Sequence, residues 1–420
     1  MSLAQGNAAD DVRITTFILK VASRCNLNCR YCYMYNKGDE SFRSQPNCMD
    51  PATVSVLLSR IASYCAEEKL EKVTFVFHGG EPLLAGIGFF RHFIRQAAAI
   101  LGTGITPAYA IQTNGILLTD EWLDLFHEFN FQFGISLDGP AAINDRNRIN
   151  HSSGGSYSLV KRALDQVLMD KRLKRLFGGV LTVIDLSADP LEIYHHWREI
   201  GIRRCDFLLP DATHDNPAPR ASEDGCTTPY ADWLIKIFDV WFRSKDTRFS
   251  IRLFETIMNL LFDPTAGYDC LGGGQNGVLV IETDGGIEPV DVLKICGPSF
   301  TKLGLNVNTH EIRDAYSSEL VRLYQKGMAG VCDMCQSCPI VKVCGGGYLP
   351  HRYSLRGGFA NPSVYCRDLT NLIVHVRSRV LATIPAKTRR KLGMQPLSHE
   401  SVIAAQLMVN RRKISSAANF

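Results

Sequence analysis

Six short runs of apolar, often β-branched residues recur along the first two-thirds of the chain, at positions 14–21, 73–77, 109–112, 131–137, 180–184 and 206–209. Runs of this length and composition predict β-strands. The stretches between them carry helical periodicity. The clearest opens at Asp50-Pro51, an N-cap acceptor followed by proline in the first turn, and sets Val54, Leu57, Leu58, Ile61 and Cys65 on one face. Cys65 on that face reads as a core thiol. Repeated strand–helix units need parallel strands with right-handed crossovers, so residues 13–245 are expected to form an α/β barrel or partial barrel. Between about residues 263 and 366 the rhythm breaks into a glycine-rich, helix-poor stretch, which predicts a second domain over 246–370. Residues 371–420 should begin as a helix. Past Pro385 the basic run Lys387, Arg389, Arg390, Lys391 reads as a solvated face or mobile tail.

Composition narrows the functional classes. A net charge of +4 on 420 residues is too mild to make nucleic acid the main partner. The first residues lack a basic segment followed by an apolar run, and no apolar stretch is long enough for a bilayer, so the expectation is a cytoplasmic chain with no membrane partner. Fourteen cysteines is a high count for such a chain. In a reducing compartment, clustered cysteines read better as metal or cluster ligands than as disulfides. They fall into two groups, Cys25, Cys29, Cys32 and Cys332, Cys335, Cys338, Cys344, Cys366. Cys48, Cys205 and Cys226 have no partners in sequence and default to ordinary thiols.

Cys25-x3-Cys29-x2-Cys32 follows directly on the first predicted strand. Three thiolates ligate three irons of a [4Fe–4S] cube and leave the fourth open for a small molecule. The amino and carboxylate groups of S-adenosylmethionine (SAM) suit that position. A zinc site is the competing reading, although structural zinc wants four ligands. Other predicted strand ends carry Gly79-Gly80-Glu81-Pro82, Gln112-Thr113-Asn114-Gly115 and Ser136-Leu137-Asp138-Gly139. Barrel active sites are built at that face, where glycine permits close backbone approach and Glu81, Asn114, Ser136 and Asp138 offer polar contacts.

With these motifs the chain resembles the radical SAM superfamily, whose fold is a partial (β/α)6 TIM-type barrel. The resemblance implies that Gly79, Gly80 and Glu81 hold the methionyl amino group, that Ser136 lies near the SAM carboxylate or ribose, and that Tyr31 packs by the adenine. One electron from the cluster then cleaves SAM to a 5′-deoxyadenosyl radical. An electron donor such as flavodoxin or ferredoxin is implied.

Cys335-x2-Cys338-x5-Cys344, followed by Gly345-Gly346-Gly347 and later Cys366, resembles the SPASM extension of radical SAM enzymes that modify peptides. That extension usually houses two auxiliary [4Fe–4S] clusters, and these four cysteines match the ligands of the second. A four-cysteine zinc site is the alternative. For the first cluster, two expected cysteines are replaced by Val290 and Tyr348. Cys270, Cys296 and Cys332 are the available substitutes, so the expectation is at least one auxiliary cluster; a second is either completed by a non-cysteine ligand or by substrate, or it is absent.

Further stretches resemble the maturases that build three-residue cyclophanes in ribosomally made peptides. These are 33–35 with 39–43, then 208–213, then His351-Arg352-Tyr353 with 361–366. The resemblance implies joining an aromatic ring carbon to the β-carbon of a residue two positions on, in a precursor peptide. Thioether formation, epimerisation and sulfatase-maturase-like oxidation are the alternatives, and a non-catalytic iron–sulfur protein is the reading from another class. Asp291 stands where related enzymes place a substrate-facing aspartate, and is the expected base for the ring proton.

Overall fold

A strand forms at each of the six apolar runs. They are β1 (Thr16–Ala22), β2 (Lys72–Gly79), β3 (Thr106–Thr113), β4 (Gln132–Ser136), β5 (Phe177–Val183) and β6 (Arg204–Leu208). The computed structural model describes residues 12–219 and 227–417, so Cys226 and the first eleven residues lie outside it. The six strands are parallel and neighbour one another in sequence order, with β7 (Ser250–Ile251) added beside β6. Each parallel step needs a crossover, and helices supply them: α1 (Pro51–Glu68), α2 (Gly86–Leu101), α3 (Asp120–Glu128), α4 (Ala141–Asn147), α5 (Tyr157–Met169) and α6 (Pro190–Glu199). The Asp50 carboxylate accepts from the Thr53 backbone N–H at 2.9 Å and its hydroxyl at 2.8 Å, which caps α1. The predicted face of α1, Cys65 included, is buried. At roughly 1.5–3 kcal/mol for each fully buried large aliphatic side chain, that face holds the helix on the sheet. This is the α/β partial barrel that the strand–helix rhythm predicts.

The sheet continues into the later part of the chain. β8 (Val278–Ile281) pairs in parallel with β1, β9 (Gly286–Glu288) runs antiparallel to β8, and β10 (Leu305–Asn306) antiparallel to β9. The hairpin is therefore an extension of the barrel wall. Its buried charges are paired: Lys294 Nζ lies 3.0 Å from both Glu282 and Glu288. From 263 to 366 helices are short, the longest being Glu319–Gln325. The chain then forms Cys366–Ala382, which packs against α7 (Pro229–Ser244). Asp368 at its start accepts the N–H groups of Tyr230 (2.8 Å) and Ala231 (3.0 Å), in the first turn of α7.

Past Pro385, the basic turn Ala386–Lys391 buries no side chain, in keeping with a solvated face. The helix His399–Ala417 does something the sequence pattern does not announce. It returns to the second cysteine group and buries Val402 and Gln406. Cys48 is exposed, while Cys205 is buried on β6. Among the described residues no helix is long and apolar enough to cross a membrane.

Candidate active site

Cys25, Cys29 and Cys32 sit on the loop after β1. The loop is stitched by backbone bonds from Asn28 to Ile149 (2.7 Å), from Arg30 to Asn147 (3.0 Å) and from Cys32 to Cys29 (3.0 Å). The three thiols influence one another electrostatically, and burial pushes Cys25 up to about 12 and Cys32 up to about 11. Nothing in the loop itself favours thiolates strongly, so a cationic centre is what would hold them ionised. Three thiols from one loop fit a cluster with an open iron.

The strand-end residues converge on this loop, in roles more specific than the sequence suggests. A side chain at Gly79 or Gly80 would collide with the carbonyls of Ala22 and Arg24, so these glycines let β2 lie against the start of the cysteine loop. Gly80 N–H donates to Ala22 O (2.8 Å) and Glu81 N–H to Arg24 O (2.9 Å). The buried Glu81 carboxylate accepts from Thr113 Oγ1 (2.6 Å), the Asn114 N–H (2.8 Å) and the Leu83 N–H (3.2 Å). Burial pushes Glu81 up to about 7 against these bonds. Glu81 thus fixes the end of β3, whose Asn114 amide lies 3.7 Å from the Cys25 sulfur and 2.7 Å from Asn26. Ser136 accepts from Gln112 Nε2 at 2.9 Å.

Asp138 anchors a buried network. Its carboxylate accepts from the Tyr31 hydroxyl (2.5 Å) and the Val183 N–H (3.0 Å), and pairs with Arg148 Nε (3.1 Å). The Arg148 guanidinium lies over the Tyr31 ring, 5.6 Å from its centroid. No sequence motif singles out Arg148. Only the packing of the loop after α4 against the cysteine loop brings it there.

The second cysteine group also assembles. Cys344 and Cys366 push the Cys335 thiol up, Cys338 and Cys344 do the same to Cys366, and Cys332 joins them, hydrogen-bonded to Cys335. Gly345, Gly346 and Gly347 all adopt positive φ, turning the chain back over the nest. Their three carbonyls accept from the buried Arg352 guanidinium at 2.8, 3.0 and 2.8 Å respectively. Gln406 Nε2 donates to Cys338 Sγ at 3.2 Å and lies 3.8 Å from Cys366 Sγ. The donor set fits an auxiliary cluster.

Cys270, Cys296 and Cys332 do not form a third group. Cys332 belongs with Cys335. Cys296 is buried among Val290, Val292, Leu293 and Ile295, with no neighbouring thiol acting on it. Cys270 is half-buried on a cavity wall, hydrogen-bonded to Asp269. Tyr348 packs in the same apolar cluster as Val290. The expected first auxiliary cluster does not fit these residues, because its substitutes are drawn into different local packings.

Between the cysteine loop, the end of β6 and the second region lies a cavity of about 320 Å³. Tyr31, Tyr33, His78, Asp211, Cys270 and Asp291 are among its walls. Asp291 is one of the residues that line it. Its carboxylate is ion-paired with Lys20 of β1 and accepts from the Tyr33 hydroxyl, while Lys20 Nζ also lies 3.0 Å from His78 Nδ1. Lys20 outweighs burial and holds Asp291 well below the usual carboxylate range. Burial and Lys20 push His78 down to about 4, so its ring is neutral.

The profile of the radical SAM superfamily matches residues 19–176, the span that contains the first cysteine group and its strand-end partners. The cysteine-type anaerobic sulfatase-maturating enzyme of Clostridium novyi (strain NT) is 28% identical over 386 residues, covering 89% of this chain and 98% of that protein. The serine-type enzyme of Klebsiella aerogenes is 28% identical over 338 residues, covering 79% of this chain and 78% of that protein. Among solved structures, native anSMEcpe with bound AdoMet and Cp18Cys peptide superposes with a TM-score of 0.72 at 22% identity, covering 87% of this chain and 98% of that one. Streptococcus suis SuiB bound to precursor peptide SuiA gives 0.54 at 15% identity, covering 84% and 76%. Residues 19–176 thus match the radical SAM superfamily, whose domain implies SAM and a [4Fe–4S] cluster, and over most of its length the chain is similar to the anaerobic sulfatase-maturating enzymes.

Proposed function

We propose that this protein is a radical SAM peptide maturase that joins an aromatic ring carbon to a side-chain β-carbon in a ribosomally made precursor peptide, closing a three-residue cyclophane. The observation that carries this reading is the cavity beside the cysteine loop, large enough for a short peptide segment and lined by aromatic rings and carboxylates. Related folds with bound peptides support a peptide substrate. With its cluster on Cys25, Cys29 and Cys32 reduced by a flavodoxin or ferredoxin, bound SAM supplies a radical that takes hydrogen from an unactivated carbon. In this reading Asn114 and the Tyr31–Asp138–Arg148 network shape the SAM pocket, and Gly79–Glu81 bring the strand end to it. The second cysteine group holds an auxiliary cluster on Cys335, Cys338, Cys344 and Cys366. Asp291, ionised beside Lys20, presents a fixed negative charge to the substrate.

Sulfatase-maturase-like oxidation of a cysteine or serine is the second reading, favoured by the similarity to those enzymes along most of the chain. Val290 and Tyr348 weigh against it. Mass spectrometry separates the two. A synthetic peptide carrying aromatic–x–polar triplets, deuterated at the β-carbon of each polar residue, should lose two hydrogens per triplet, resist fragmentation inside it and pass deuterium into 5′-deoxyadenosine. A formylglycine product from a sulfatase peptide, with the triplet peptide unchanged, refutes the cyclophane reading.

A further inference from the structure

Four carboxylates face the cavity, and their surroundings differ. Asp291 is held by Lys20 and Tyr33. Asp368 accepts two backbone N–H groups at the start of α7. Asp269 is hydrogen-bonded to Cys270. Asp211, three residues past the end of β6, has neither a hydrogen bond nor an ion pair among the described residues. Its nearest charges are Lys37 and Asp291, and the phenols of Tyr33, Tyr348 and Tyr365 lie within its field. Asp211 is half-buried on the cavity wall, and a carboxylate that no protein group holds is open to whatever enters the cavity.

We propose that Asp211 is the proton acceptor of the reaction in this cavity, and that Asp291 stays locked to Lys20 as a charge that orients the substrate. This rests on the peptide-maturase reading above. In that reaction a β-hydrogen leaves to the SAM-derived radical, giving 5′-deoxyadenosine, and the β-carbon bonds to the ring. The ring then gives one electron to a one-electron acceptor of the iron–sulfur class and one proton to Asp211. The product is lighter by two hydrogens, and Asp211 releases its proton to solvent.

The electrostatics agree with the geometry. Burial pushes Asp211 up to about 7, Lys37 partly opposing and Asp291 adding to the shift. A base is most efficient when its pKa lies near the working pH, because it is then both ionised and avid for the proton. Lys20 drives Asp291 the other way, into a carboxylate too weakly basic for the task. Two acidic groups whose surroundings drive them apart have separable roles.

The test uses full-length, anaerobically reconstituted enzyme and the synthetic aromatic–x–polar peptide. Asp211→Asn should still form 5′-deoxyadenosine and accept β-deuterium, while product per 5′-deoxyadenosine falls at least tenfold, within the usual range for a lost general base. Asp211→Glu should recover much of the coupling. Product at the wild-type ratio from D211N overturns the assignment while leaving the maturase reading intact. A wild-type enzyme that makes no product lighter by two hydrogens refutes the maturase reading itself. If D211N fails to retain iron, Asp211→Ser decides in its place. Coupling restored by added formate supports the proposal, and wild-type coupling without formate overturns it.

Discussion

Lys20→Met tests the electrostatic centre of the cavity most directly. Lys20 and Asp291 have side chains only 1% and 8% exposed, so neither charge can turn to solvent when its partner is removed. Breaking a buried pair by deleting one member costs about 3–5 kcal/mol, mostly from the stranded charge. Unfolding entropy runs near 2.1 cal/mol/K per residue, which for 420 residues is about 0.9 kcal/mol/K. The melting temperature of K20M, followed by circular dichroism on reconstituted protein, should therefore fall by about 3–6 °C. Asp291→Asn alone strands the ammonium instead, and the double variant K20M/D291N should lose much less than the sum of the singles. The sign of the pH effect follows from the lowered pKa. Asp291 contributes fully above its ordinary value of 3.8, and its contribution fades only as pH drops through the still lower folded value. In K20M the stranded carboxylate regains a proton as pH falls. The gap between K20M and wild type is thus widest at neutral pH and closes in acid. Additive losses, or a K20M that melts with the wild type, would refute a buried, coupled pair.

The other predictions concern the cysteines and the glycine turn. Triple replacement of Cys25, Cys29 and Cys32 by alanine should abolish reductive SAM cleavage, read as 5′-deoxyadenosine under anaerobic reduction. Cys335→Ala or Cys338→Ala should remove about four irons per chain, one cube, whereas Cys270→Ala and Cys296→Ala should leave iron content unchanged. Arg352→Lys cannot reach all three glycine carbonyls with one ammonium. Losing about two charged hydrogen bonds, roughly 3 kcal/mol or more, should hasten iron release to a chelator without changing the first cluster's SAM cleavage.

What the sequence determined by itself is what lies within a few residues of chain. The six strands were legible because apolar runs of strand length are local, and α1 because Asp50, Pro51 and the spacing of Val54 to Cys65 act within one helix. The two cysteine groups were legible for the same reason, since ligand spacing is set by adjacent turns. Tertiary structure decided which distant side chains meet. Lys20 and Asp291 are 271 positions apart, and pair because β8 lies beside β1 and carries the hairpin with it. Cys332 stands in the second cysteine group by spacing yet was also a candidate partner for Cys270 and Cys296, and the turn after it delivers it to Cys335. Arg148 and Gln406 carry no motif, and each acts through contacts that exist only once separate elements have packed. The four cavity carboxylates make the same point. Aspartates are indistinguishable in a sequence, and what separates Asp211 from Asp291 is the ion pair with Lys20 that the fold gives to one of them and not to the other.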